Sequence, residues 1–156
     1  MFAAWGNRTE GAELFSARNL DWSKDTGINK NKLVMVVVPD DGSNPSVTLG
    51  FVGLYGTLAG MSAKGITVHE ANLEENVISF TGFPWTLRLR YIMEFADDLQ
   101  TARARWESTT NTVGFNHMIA SGGDAQAYAG GKLIDVALAL ETMYGYTAYF
   151  ADNDPR

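Results

Sequence analysis

The sequence contains no cysteine in 156 residues. Within those residues a disulfide scaffold, a thiolate zinc site and a thiol nucleophile are excluded. Long apolar runs are also missing. The longest, Leu33 to Val38, is far shorter than the roughly 20 residues a membrane helix needs. Positive charge is in deficit, with 12 Lys and Arg against 18 Asp and Glu and a net charge of -6. A general nucleic-acid binder carries the opposite balance. Met1-Phe2-Ala3-Ala4-Trp5 lacks the basic start of a signal peptide, and its apolar stretch stops at Gly6-Asn7-Arg8, so the compartment stays unassigned.

Histidine is scarce too: His69 and His117 are the only two. Neither has a carboxylate at metal-ligand spacing, so no metal or cofactor site is expected. His69 and Glu70 are adjacent, and on a strand they face opposite ways, which makes them a poor acid–base pair. No G-x-S-x-G elbow occurs. Gly122-Gly123-Asp124, after Phe115 to Ser121, lacks the lysine of a phosphate loop and a following helix, and reads as a turn between strands.

What is present suits a folded domain. Apolar residues make up 46% and aromatics 12%, too many for a disordered chain. A chain of this length buries about 70% of its unfolded surface, enough for one domain and short for two. Strand patterns fill the first third. Phe2 to Trp5 and Glu13 to Asn19 read as a hairpin with a long, turn-rich loop. Lys32 to Val38 is β-branched and nearly continuous, the pattern of a strand covered on both faces. Asp40 to Pro45 is a turn. Ser46 to Leu58 alternates loosely around Gly50, Gly53 and Gly56, and Ile66 to Ala71 is a further strand ending at Asn72.

Helical periodicity takes over in the middle. Pro84 suits a helix start, and Leu87, Leu89, Tyr91, Ile92, Phe95 and Ala96 form an apolar stripe. Asp97-Asp98 caps a second helix with Leu99, Ala102, Ala104 and Trp106 on its buried side. Strands return at Asn116 to Ser121, Val136 to Thr142 and Tyr146 to Ala151. Ala129 to Asp135 is longer than a tight turn and reads as a local insertion. Glu74 and Glu75 are expected in solvent. Strands and helices in separate blocks indicate an α+β fold with antiparallel strands and two central helices.

Two segments carry polar groups where an apolar pattern would continue. In Ala17-Arg18-Asn19-Leu20-Asp21-Trp22, a turn at Asn19 would bring Arg18 and Asp21 together, either as a surface ion pair or as a planar pair that orients a reacting group. Asn72, at a strand end after Gly60 to Ile66, serves either as a turn residue or as an amide donor to a developing oxyanion.

Taken in order, Phe2-Ala3-Ala4-Trp5-Gly6, then Phe15 to Trp22 with its R-N-L-D-W run, then Gly60-Met61-Ser62-Ala63-Lys64-Gly65-Ile66-Thr67-Val68, then Asn72, resemble the isopenicillin-N acyltransferase-like branch of the N-terminal nucleophile hydrolases. Penicillin V acylases, bile salt hydrolases and acid ceramidase-like amidases are related. The similarity runs from residue 2 to about residue 152. It implies an αββα sandwich, of which residues 1–156 make the N-terminal part as one incomplete domain. It also implies a cysteine nucleophile at a mature N-terminus freed by autocatalytic cleavage, with the α-amino group as base.

By that resemblance Arg18 holds the nucleophile and substrate, Asp21 orients the amino group, and Asn72 contacts the oxyanion or substrate. Trp22 and Asn116 are candidates for the substrate pocket. The expected activity is hydrolysis or transfer at a linear acyl amide, a small molecule, without cofactor, nucleic acid or membrane span. The alternative is a non-catalytic binding module derived from the same fold. Aligned on the family, the cysteine lies about two residues before Met1, and a later part of the domain follows Arg156. An incomplete sandwich is expected to leave sheet edges unpaired and an apolar face bare; a stand-alone module covers them.

Overall fold

The computed structural model describes residues 1–73 and 77–152. Glu74, Glu75 and the segment after Asp152 lie outside them. Among the described residues, nine strands and three α-helices follow one another as β1 (Phe2–Ala4), β2 (Phe15–Ala17), β3 (Lys32–Val37), β4 (Ser46–Phe51), β5 (Ala59–Ser62), β6 (Ile66–Asn72), α1 (Trp85–Phe95), α2 (Leu99–Glu107), β7 (Phe115–Ser121), α3 (Gly122–Ala129), β8 (Ala137–Met143) and β9 (Tyr146–Ala151). β3 to β9 form one seven-stranded sheet in sequence order, antiparallel throughout. β1 and β2 form a separate antiparallel ribbon. The α+β class and the antiparallel strands are as the sequence indicates.

Alternation along the strands divides the sheet into two unlike faces. Ile66, Val68, Ile119, Leu138 and Leu140 point to one side, where they are buried against Leu89, Ile92, Met93, Ala96, Leu99, Ala102 and Trp106 of α1, α2 and the short link between them. This is the core. The two helices α1 and α2 begin where the sequence places them. Pro84 sits at the N-cap of α1. At α2, the Asp98 carboxylate accepts from the Thr101 N–H at 2.7 Å while the Thr101 hydroxyl accepts from the Asp98 N–H at 3.1 Å, a reciprocal capping box. Ala104, expected on the buried side, is exposed, as is Phe95.

Arg88 is the unexpected core residue, 2% exposed. Its guanidinium lies 3.7 Å over the Trp106 ring and donates to the Trp106 carbonyl, to the Asn111 side chain and, at 2.8 Å, to the Thr109 carbonyl. These carbonyls lie at the C-terminal end of α2, where the helix dipole is negative. The cation therefore caps a helix instead of pairing with a carboxylate. Burial pulls its pKa down to about 10, opposed by Tyr149, so it stays charged at neutral pH.

Gly60 fixes how closely α1 approaches the sheet. A Cβ there would sit 2.7 Å from the Val47 carbonyl oxygen and 2.8 Å from Met93 Sδ. Gly60→Ala is expected to destabilise the fold by about 1–3 kcal/mol, read as a lower urea midpoint at unchanged slope; a loss under about 0.5 kcal/mol would show that the strand yields freely.

Two expectations fail. Gly122-Gly123-Asp124 does not close a turn but opens α3, because the Ser121 hydroxyl accepts from the Asp124 N–H at 3.2 Å and caps the helix. Among the described residues it is a third α-helix, additional to the two central ones the sequence indicates, and the length between β7 and β8 is this helix plus a short loop. Lys32–Val37 is not covered on both faces. It is an edge strand, with Val34 63% and Val36 68% exposed. Together with Val47, Leu49 and Met61, which the ladder places on the same face, they leave an apolar stretch bare on the side away from α1 and α2. Among the described residues no helix is long and apolar enough to cross a membrane.

Candidate active site

The site is built at a notch in the sheet. β5 pairs with β6 only from Ala59↔His69 to Met61↔Thr67. Glu70, Ala71 and Asn72 of β6 continue past the start of β5, and the segment after β2 enters there. Arg18 Nη2 lies 2.6 Å from Glu70 Oε1, and both side chains are more than nine-tenths buried. The pairing that the local sequence suggested, Arg18 with Asp21, is therefore corrected: the partner comes from β6. Strand geometry explains this, because Arg18 and Asp21 lie on a stretch with no turn tight enough to fold one onto the other, while the notch exposes Glu70 to the incoming arginine.

Two adjoining cavities flank this ion pair. One, about 560 Å³, is lined by Arg18, Asp21, Trp22, Glu70, Asn72 and Trp85, with Leu20, Ile28, Leu54 and Leu58 giving it an apolar character. The other, about 530 Å³, shares Arg18, Leu20 and Trp22 and runs to Val34 and Leu49 on the bare face. A few polar groups at the head of a mainly apolar cleft are the usual make-up of a small-molecule site. Arg18, Asp21, Asn72 and Trp22 are thus brought together. Asn116 is not among the residues lining either cavity. It faces Ala71 and Glu141 in the ladders of β7.

Burial governs the electrostatics. Glu70 is pushed above the usual carboxylate range by burial, against the pull of the Arg18 charge and hydrogen bond. His69 is brought down to about 4, first by burial, then by the positive charges of Arg18 and of the amino terminus at Met1. The amino terminus and Arg18 therefore act on the same ring. His69 Nε2 is hydrogen-bonded to Ser16 Oγ, which also accepts from Thr67 Oγ1 at 3.3 Å. Behind Glu70 in the ladder stands His117, 1% exposed, its ring 4.8 Å from that of Trp106. Burial, then the Arg88 charge, lowers it to about 3, with a backbone hydrogen bond to His69 opposing. Both histidines are neutral at pH 7.

Glu70, His69 and Ser16 are the residues that the sequence did not single out for this site. No local signal marks them, because each gains its partner from a segment about fifty residues away. Among the described residues no three ligating side chains cluster as a metal site would.

No family model matches the chain, and no curated protein matches it in sequence. A solved structure does match, the Caenorhabditis elegans N-acylethanolamine-hydrolyzing acid amidase (NAAA) ortholog. The TM-score is 0.71 at 11% sequence identity, over 97% of this chain and 63% of that one. At such identity the likeness carries the fold alone, an α+β arrangement of antiparallel strands and helices. The chain spans less than two thirds of the structure it matches.

Proposed function

We propose that this chain is the part of an N-terminal nucleophile amidase that holds the substrate and positions the nucleophile, acting on a linear acyl amide. The observation that carries the reading is the buried Arg18–Glu70 pair at the head of an apolar cleft, beside the amino end of the chain and next to Asn72. In this reading a cysteine thiolate ahead of Phe2 attacks the amide carbon. The α-amino group, with an ordinary pKa of about 7.7–8.0, takes the thiol proton and returns it to the leaving amine. Water or a second amine then opens the thioester, which makes the whole protein a hydrolase or an acyltransferase. Asn72 offers an amide N–H to the developing oxyanion. Arg18 fixes the nucleophile and the substrate carbonyl, and Asp21 orients the amine. The likeness to an amide hydrolase supports the reading, and so does the bare face bearing Val34, Val36 and Leu49, where the other layer of a sandwich would pack.

The test is to place a cysteine two residues ahead of Met1, in a chain continued past Arg156 by the rest of the domain, and to supply a panel of acyl amides. A mass increase equal to the acyl group on that cysteine, and release of the amine, are expected. A folded protein that turns over none of the panel overturns the reading. The competing assignment, a non-catalytic binding module, draws on the absence of cysteine from these residues. It calls for a monomeric, cooperatively melting 156-residue chain that binds no apolar dye. Dye binding at the bare face would count against it.

A further inference from the structure

Between the β1–β2 ribbon and the sheet lies a polar cluster that the proposed chemistry does not use. Ser16 is central in β2 and pairs with Ala3 of β1. Its hydroxyl bridges to two side chains of β6, His69 and Thr67. Those two residues alternate with Val68 and so share the face turned away from α1 and α2. The ribbon is short, three residues a strand. Its outward-facing Phe2 and Phe15 are more than half exposed, so apolar burial does little to fix it in place. A two-stranded ribbon of this length has marginal stability of its own. A specific hydrogen bond then adds to the packing of its connecting loop on α3 in setting the ribbon's place on the sheet.

The placement matters because the next residue but one after Ser16 is Arg18. We infer that His69, acting through Ser16, is a positioning residue that fixes the ribbon on β6 and thereby holds Arg18 against Glu70 at the head of the cleft. What the positioning serves rests on the amidase reading; the clamp itself does not. A neutral imidazole suits the task. It carries one N–H, and its Nε2 meets the Ser16 hydroxyl as donor or acceptor, while its Nδ1 is buried and makes no hydrogen bond among the described residues. The charged groups that act on it, Arg18 and the amino terminus, are both positive. Its ladder partners, Ala59 and Met118, are uncharged, and Glu70 turns to the other face of β6. Neighbours of that sign keep the ring uncharged.

The test needs no substrate. Backbone hydrogen exchange is followed in the 156-residue chain at pH 7 for the ribbon (Phe2 to Ala4, Phe15 to Ala17) and for β7 and β8, while NMR follows the titration of Glu70. Ser16→Ala and His69→Phe are expected to speed ribbon exchange about tenfold, the loss of one hydrogen bond, with β7 and β8 unchanged. The Glu70 midpoint is expected to move up as Arg18 loosens. His69→Gln, which keeps an N–H near the place of Nε2, should restore most of the protection and the wild-type titration. The inference is overturned by ribbon exchange equal to wild type in Ser16→Ala, by His69→Gln exchanging as fast as His69→Phe, or by an equal rise throughout β7 and β8. A chain that passes this test yet shows no amidase activity in the restored protein refutes the functional reading alone.

Discussion

Glu70→Ala is expected to lower the free energy of unfolding by about 3–5 kcal/mol at pH 7. The reason is what it leaves behind. A guanidinium cannot lose its proton at neutral pH, so Arg18, buried and with its Nε already lacking a hydrogen-bond partner among the described residues, would remain as an uncompensated charge. The reverse change is expected to cost less. In Arg18→Met the stranded group is Glu70, which burial already pushes above the ordinary carboxylate range and which escapes by taking up a proton.

Replacing both by methionine should recover most of the loss, since a buried ion pair seldom outperforms well-packed apolar side chains. Urea denaturation of the four proteins measures this. A cost for Glu70→Ala under about 1 kcal/mol, or an Arg18→Met loss equal to it, would show that water reaches the pair and that the notch is open. The expected asymmetry also bears on function. An arrangement that offers little net stability and still places a guanidinium at the head of a cleft is better explained by what the guanidinium does there.

Acidification supplies the second large effect. His69 and His117 have folded pKa values of about 4 and about 3 against ordinary values of 6.5. A base whose pKa is depressed on folding is neutral in the native chain but protonated in the unfolded one. Its contribution is therefore fully present above pH 6.5 and is lost as the pH falls toward the folded value. Each pH unit in that window is worth about 1.4 kcal/mol for each fully buried group.

The two histidines together should cost on the order of 8 kcal/mol between pH 6.5 and pH 3, against a typical total of about 5–15 kcal/mol. Glu70 works in the opposite direction, because its raised pKa makes the protonated form the easier one to bury. Asp98 adds to the loss only at lower pH, since its capping hydrogen bonds with Thr101 hold it below the usual carboxylate range. Urea titrations at pH 7.5, 6, 5 and 4 follow the curve. His117→Phe, which can occupy the pocket among Trp85, Trp106 and Phe115, should remove about half of the slope. A stability that changes by less than about 1 kcal/mol between pH 7 and pH 4 would show both rings to be solvated.

Local chemistry was legible in the sequence wherever the cause is local. The start of α2 could be read because Asp98 and Thr101 satisfy each other's backbone within one turn. The strand at Ile66 to Asn72 could be read because the β-branched Ile66, Thr67 and Val68 open it and Gly65 turns the chain before it. Where neighbours in space decide, the same reading went astray. The run Lys32 to Val38 has the composition of a doubly covered strand, yet composition cannot say that it is the last strand of the sheet with only one face packed. Gly122-Gly123 has poor helix propensity, and only the Ser121 cap with the alanines beyond it makes α3 the better solution.

The site divides along the same line. The sequence by itself determined that no thiol lies within these residues, that the chain folds as an α+β domain with antiparallel strands, and that the R-N-L-D-W run and Asn72 are polar interruptions at strand ends. All of these follow from residue identity and short-range periodicity. Only the tertiary structure decided that Arg18 pairs with Glu70 and not with Asp21, and that His69 meets Ser16. Those outcomes depend on β5 being shorter than β6 and on the side-chain contacts that set residues 16 to 18 against residues 67 to 70. Charge and hydrogen-bond partners in a buried notch are chosen by distance through space, and a linear pattern carries no measure of that distance.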